Sequence, residues 1–372
     1  MKITISKEDL AHGVQAIQSA MSSRTTLPIL LNFLLETENN KVKVVSTDLE
    51  MGVKHYLKAD IESDGSITIP AKKFADILHS LPDSQEVDLS VDAGGKISLR
   101  CGRSLFGIIG SPKSEYPVLP DFNKTNAFEL PAAVIGEMVK QTIFAASSDE
   151  TRHVLNGVFW AAKKGILEMV ATDGRRLAVC MRKILPKDKE FSVIVPTKVL
   201  TEFLRLLGVL EIQKGDDEMM WVAVTDNQIT FQLKDTTLLS RLVGGSFPNY
   251  EQVIPTKRDV VFTAPTKDLL AVTKRAALCA VDRGGSVKYA LKKGVLNVSS
   301  SSQNNEFTEE LFVDYPGEDF TVAFNQQFIV DALKHIDTEK TAVAMTSPIN
   351  PALFEPADGE RDYRFVVMPM RL

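Results

Sequence analysis

Asp48 and Asp173 are the first residues in this sequence whose type and placement could do chemistry. Each follows a threonine at the end of an apolar run, in Val44-Val45-Ser46-Thr47-Asp48-Leu49-Glu50-Met51-Gly52-Val53 and in Met169-Val170-Ala171-Thr172-Asp173-Gly174-Arg175-Arg176-Leu177-Ala178-Val179. Two carboxylates could act as general acid and base. Thr-Asp is also what a polar turn between two strands selects, because both side chains bond nearby backbone groups. A hairpin is therefore predicted at each position, without a catalytic role.

The remaining reactive residues are scattered. None of His12, His55, His79, His153 and His335 has a second histidine or a cysteine at ligand spacing, so no metal site is expected. Cys101, Cys180 and Cys279 lie far apart beside apolar runs and are expected as buried thiols. Neither a phosphate-cradling glycine loop nor a dinucleotide fingerprint occurs. The reading is a non-catalytic protein with no cofactor. A duplicated-domain enzyme or carbohydrate-binding protein would need a polar or metal-bearing pocket that the sequence does not supply.

The elements that carry these turns repeat. The two Thr-Asp copies are about 125 residues apart, too far for solenoid units and right for duplicated domains. Three domains are expected, 1–125, 126–256 and 257–372. Within each, a strand leads into an amphipathic helix and short strands follow, and then the pattern recurs. The helices fall at 7–20, 71–81, 131–146, 197–207, 265–280 and 326–336, with apolar residues at helical spacing such as Leu10, Val14 and Ile17. Strand-like runs include 2–6, 29–37, 42–46, 51–57 and 66–70. Short polar turns between them predict antiparallel sheets, giving an α+β fold of three similar domains, each of two half-repeats with helices on one side of the sheets.

Charge is uneven. The whole chain is at −5, yet the six helices with the loop after the first (7–24, 71–81, 131–146, 196–208, 265–280, 325–336) hold eleven basic and seven acidic residues. An acidic protein with one mildly basic helical surface could hold a polyanion loosely there. The start, Met1-Lys2-Ile3-Thr4-Ile5, reads as a strand and not a leader, and no apolar run approaches the roughly 20 residues of a membrane span, so a cytoplasmic protein is expected.

Several stretches taken together, in order, resemble the bacterial beta sliding clamp family, the beta subunit of DNA polymerase III, over the full length. They are Leu27-Pro28-Ile29-Leu30, Thr47-Asp48-Leu49-Glu50, Asn156-Gly157 followed by Ala171 to Ala178, Phe247-Pro248-Asn249-Tyr250, and Val367-Met368-Pro369-Met370-Arg371-Leu372. The resemblance implies a head-to-tail homodimeric ring of six domains that encircles double-stranded DNA without reading its sequence. It would serve as a processivity factor in DNA replication. It also implies an apolar cleft for short peptides of the polymerase alpha subunit, the clamp loader, translesion polymerases, mismatch-repair proteins and ligase. By motif match the cleft would be lined by Leu155, Thr172, Gly174, Arg175, Leu177, Pro248, Val253, Ile349, Val366, Met368, Pro369, Met370 and Arg371. By the same resemblance DNA contacts would fall to Arg24, Arg152 and His153. The dimer contact would set Arg103, Phe106 and Ile108 against Leu278, Cys279, Glu306, Glu309 and Glu310.

Overall fold

The computed structural model describes residues 1–21, 26–83, 85–280, 285–359 and 362–371. In chain order the first third forms β1 (Lys2–Ser6), α1 (Lys7–Ile17), β2 (Asn32–Glu38), β3 (Lys41–Thr47), β4 (Met51–Leu57), β5 (Asp60–Ser63), β6 (Ser66–Pro70), α2 (Ala71–Ser80), β7 (Glu86–Val91), β8 (Lys96–Cys101) and β9 (Ser104–Ile109). The middle third forms β10 (Phe128–Pro131), α3 (Ala132–Ile143), β11 (Gly157–Lys163), β12 (Ile166–Thr172), β13 (Arg176–Arg182), β14 (Phe191–Pro196), α4 (Thr197–Val209), β15 (Met219–Val224), β16 (Gln228–Leu233) and β17 (Thr236–Arg241). The last third forms β18 (Val260–Pro265), α5 (Thr266–Cys279), β19 (Ser286–Lys292), β20 (Val295–Ser301), β21 (Glu306–Phe312), β22 (Phe320–Asn325), α6 (Gln326–Lys334), β23 (Lys340–Met345), β24 (Ala352–Pro356), β25 (Tyr363–Val367) and β26 (Pro369–Met370).

Each third is two half-repeats that exchange their leading strands. In the first third β1 joins β7, β8 and β9, while β6 joins β2, β3 and β4; the middle and last thirds repeat this with β10 and β14, then β18 and β22. All the pairings are antiparallel, as the short polar turns predict. The four-strand sets then fuse edge to edge. β17 pairs with β4 and β25 pairs with β13, which gives two eight-stranded sheets. Two five-stranded sheets remain, and they end at the unpaired edges of β9 and β21.

The chain divides into two compact units, residues 1–136 with 198–242 and residues 137–197 with 243–372. Each unit holds one five-stranded and one eight-stranded sheet, so the middle third contributes half its strands to each. In the first unit Ser6 caps α1 by accepting from the Asp9 N–H, and the helix buries Leu10, Val14 and Ile17. Phe33 and Phe74 meet edge to face there, with ring centroids 5.3 Å apart. In the second unit Tyr289, Phe324 and Phe354 form a similar chain of edge-to-face rings, and all three are fully buried.

Local chemistry moves three boundaries from their sequence expectations. Pro28–Leu31 is a 3-10 turn, because Pro28 at its start fixes a turn-compatible φ, and β2 begins only at Asn32. The first helix ends at Ile17 and tightens into a 3-10 turn over Gln18–Ala20. The helix expected over 131–146 ends at Ile143, and Arg152 and His153 follow on a 3-10 segment, Glu150–Leu155, capped by the Asp149 side chain accepting from Thr151 N–H. These Thr151 bonds hold the Asp149 carboxyl below the usual carboxylate range.

Candidate functional site

The Thr172-Asp173 turn is built by side chains. Thr172 Oγ1 donates to the Arg176 carbonyl at 2.6 Å and accepts from Gly174 N–H at 3.0 Å. Asp173 Oδ1 accepts from the Arg175 and Arg176 N–H groups at 2.8 and 3.0 Å, and its other oxygen takes Arg176 Nε at 3.0 Å. Gly174 supplies the positive φ of +86°. The aspartate is fully engaged in folding the chain, which fits its reading as a turn residue.

Beyond the turn, β13 lies against β25 with Leu177 opposite Val366, and Met368 N–H bonds the Arg175 carbonyl at 2.9 Å. Leu177 and Val366 belong to one buried cluster with Val170, Val179, Ala344 and Leu353. Phe247, Tyr250, Ile254 and Phe159 pack on it partly exposed. Phe159 stacks on Phe247 at 5.0 Å, and Tyr250 is anchored by its hydroxyl donating to Glu168 at 2.8 Å. Burial and Glu168 together push the Tyr250 hydroxyl above its ordinary pKa.

The expected cleft residues separate into a floor, a rim and a neighbouring groove. Leu155, Leu177 and Val366 are buried and can only form floor or core. Gly174, Arg175, Pro248, Val253, Ile349 and Met368 are exposed, and Thr172 is half-buried. Pro369 and Met370 instead pair as β26 with Phe324 and Ala323 of β22. Met370 and Arg371 line a separate groove of about 550 Å³ with Lys288, Ser299 and Phe307.

Three contributors went unassigned in the sequence reading. Phe247 and Tyr250 belonged to a quoted motif from which only Pro248 was taken, although aromatic residues flanking an exposed proline were a usable signal. Arg176 also holds the turn: it bonds Asp331 at 2.7 Å and lies over the rings of Phe328 and Phe144, at 4.7 and 5.7 Å. Nothing local announces those distant partners.

Of the DNA-contact expectations, Arg24 lies outside the described residues. Arg152 and His153 are exposed, and Arg152 Nη1 donates to the Asp173 carbonyl at 3.3 Å. On the helices, Lys72, Lys73, Lys140, Lys267, Lys274 and Lys334 are exposed and carry no ion pair among the described residues. Lys198, by contrast, pairs with Asp48, and Arg205 with the buried Glu202.

Near the free strand edges Arg103, in the turn before β9, and Glu306 and Glu310 of β21 are exposed, and Leu278 on α5 is 76% exposed. Ile108 is only 6% exposed in the single chain, because alternate residues of β9 face the unit's own core. Phe106 is half-buried on the same face, while Leu105 and Ile109 are 64% and 69% exposed. Glu309 is also spoken for, since Arg275 forks onto its carboxylate with Nε 2.8 Å away and holds it below the usual range. Cys279 is half-buried, and Cys101 and Cys180 are buried. No cluster of potential metal ligands occurs among the described residues.

Three repeated strand-exchanged pairs of half-repeats, with helices packed on antiparallel sheets, define the class as a three-domain clamp fold. Family models for the N-terminal, central and C-terminal domains of the DNA polymerase III beta subunit match residues 1–120, 129–249 and 251–371. The chain is 32% identical to the beta sliding clamp of Haemophilus influenzae and 31% identical to that of Escherichia coli K12, covering all of each. The solved sliding clamp of Bacillus subtilis superposes with a TM-score of 0.94 at 29% identity, over 100% of this chain and 99% of that one. A Pseudomonas aeruginosa clamp bound to griselimycin superposes at 0.93 with 30% identity and full coverage of both. The chain belongs to the DNA polymerase III beta subunit family, the beta sliding clamps, whose role is non-catalytic.

Proposed function

We propose that two copies of this chain close head to tail into a ring around double-stranded DNA, slide along it and tether a replicative polymerase. The observation that carries the reading is an unmet pairing. Within the chain, β17 meets β4 and β25 meets β13, and in the exchanged half-repeats β9 corresponds to β17 and β25 while β21 corresponds to β4 and β13. A β9 to β21 contact in trans, made twice, repeats the in-chain junction and covers both of these edges. In that contact Leu105, Ile109 and Leu278 supply apolar area, and Arg103 faces Glu306 and Glu310.

The domains of the ring are residues 1–125, 126–256 and 257–372. The exposed helix lysines, with Arg152 and His153, hold DNA weakly enough for movement, while the closed topology retains it. The polymerase, the clamp loader, translesion polymerases, mismatch-repair proteins and ligase dock in turn through short apolar peptides on the Leu177–Val366 floor and the Met368 rim. Burying one or two apolar side chains there, at about 1.5–3 kcal/mol each, suits exchangeable binding. The work is done in the cytoplasm, and no helix among the described residues is long and apolar enough to cross a membrane.

Sedimentation combined with small-angle scattering tests the ring. The native chain should have the mass of two chains and a hollow distance distribution. Leu105→Asp with Leu278→Asp should give single chains of unchanged helix content that no longer stay on closed circular DNA; two-chain mass in that variant defeats the assigned contact.

A further inference from the structure

We propose that the groove at the first junction, between β4 and β17, is a second peptide-binding site, selective for an extended segment carrying a carboxylate next to an apolar side chain. The inference rests on the reading that the Leu177–Val366 cleft at the other junction binds peptides.

The two junctions share one backbone design, bond for bond. Thr47 Oγ1 donates to the Met51 carbonyl at 2.7 Å and accepts from Leu49 N–H at 3.0 Å, as Thr172 does with Arg176 and Gly174. Asp48 Oδ1 accepts from the N–H groups of Glu50 and Met51, as Asp173 does from Arg175 and Arg176. Arg241 N–H bonds the Glu50 carbonyl at 2.9 Å, and Met368 N–H bonds the Arg175 carbonyl at the same distance. Leu239 lies opposite Gly52 where Val366 lies opposite Leu177. The repeat places a concavity of about 370 Å³ on the first unit, bordered by Leu49, Val118, Asn227, Leu239 and Arg241, among others. That size takes one or two side chains of an extended segment, not a folded domain.

The occupant's chemistry follows from the substitutions. Arg241 stands in place of Met368, is exposed, and has no side-chain partner among the described residues. Beside it, Asn227 Oδ1 lies 3.4 Å from Thr225 Oγ1, and its amide nitrogen has no protein partner among the described residues. An unpaired guanidinium next to an amide donor suits a carboxylate. The apolar contacts are Val118, 90% exposed, and Leu49, 47% exposed. Leu49 keeps a φ of +76° where its counterpart is Gly174, so a strained backbone presents an apolar side chain at the rim.

Two synthetic hexapeptides sharing a Leu-Phe core, one flanked by Asp-Asp and one by Ser-Ser, are titrated calorimetrically into the full chain carrying Met368→Asp, which blocks the cleft. The Asp peptide should bind once per chain, about fivefold or more tighter than the Ser peptide. Adding Arg241→Glu should weaken it about tenfold, and adding Arg241→Lys should retain it within about threefold. No binding by the Met368→Asp chain, or an Asp-peptide affinity unmoved by Arg241→Glu, overturns the proposal. Loss of the cleft assignment reads separately: Met368→Asp would then leave the Ser-peptide affinity of the otherwise native chain unchanged, while Arg241 dependence still decides the groove.

Discussion

The β4–β17 and β13–β25 junctions have the same turn, the same strand pairing and different contents. At the first, Gly52 faces Leu239, and Leu119 fills the space above: a Cβ on Gly52 would lie 2.5 Å from Leu119 Cδ1. At the second, the same position is Leu177, which is buried against Val366 with Ile254 alongside. A crossing segment covers each junction: Tyr116, whose hydroxyl lies 3.2 and 3.3 Å from the Asn32 and Val45 carbonyls, with Leu119 at the first, and Phe247, Tyr250 and Ile254 at the second. Deeper in the pairing, His55 occupies the first junction and Cys180 the second. Backbone geometry is thus held constant while a few side chains decide what each junction can bind and tolerate.

The two tryptophans read the junctions separately, since Trp221 lies in the first unit and Trp160 in the second. The largest contrast is expected from exchanging the packing residues. Leu177→Ala removes buried side-chain volume and should cost about 2–5 kcal/mol in the second unit. Gly52→Leu overpacks onto Leu119 and should cost about 1–3 kcal/mol in the first. Urea midpoints followed through Trp160 and Trp221, each with the other tryptophan replaced by Phe, should shift only in the affected unit. Equal shifts in both signals would mean the junctions are not independent.

Acid should separate them next. Burial lowers His55 to about 4, with His12 adding like-charge repulsion, while its Nδ1 lies 2.8 Å from Thr236 Oγ1. The folded state therefore keeps a neutral ring that the unfolded chain protonates near 6.5. The stability this represents is complete above that pH and is lost as pH falls toward 4, roughly 3 kcal/mol at the limit. Burial pushes the Cys180 thiol the other way, up to about 12, so it stays neutral throughout. Between pH 7 and 4.5 the Trp221 midpoint should fall further than the Trp160 midpoint, and His55→Gln should remove the difference. A pH-independent gap between them would rule out His55 as its cause.

The smallest effect concerns the turns. Leu49 at φ +76° carries the strain that Gly174 avoids at +86°. Leu49→Gly should leave the first unit unchanged or stabilise it by up to about 1 kcal/mol, whereas Gly174→Leu should destabilise the second by about 1–2 kcal/mol. Melting curves of the two variants moving in the same direction would show that the turns are not equivalent.

Much of this was legible in the sequence because it is local. Apolar spacing marked all six helices, and Thr-Asp after an apolar run marked both hairpins, since a few neighbouring residues settle those structures. Even Ile108 and Phe106 were found as apolar strand residues. Which face they occupy was not, because alternation gives two faces and only the packed sheet selects the buried one. Strand exchange between half-repeats, the fusion of β17 with β4 and β25 with β13, and the placement of Met370 beside β22 and not over Leu177 depend on pairings between distant segments. So do the hold of Asp331 on Arg176, the contact of His55 with Thr236, and the difference between Arg241 and Met368 as counterparts. The sequence alone determined the elements, the turns and the repeat; the tertiary structure decided partners, faces and grooves, because burial and long-range hydrogen bonding act only once distant strands have met.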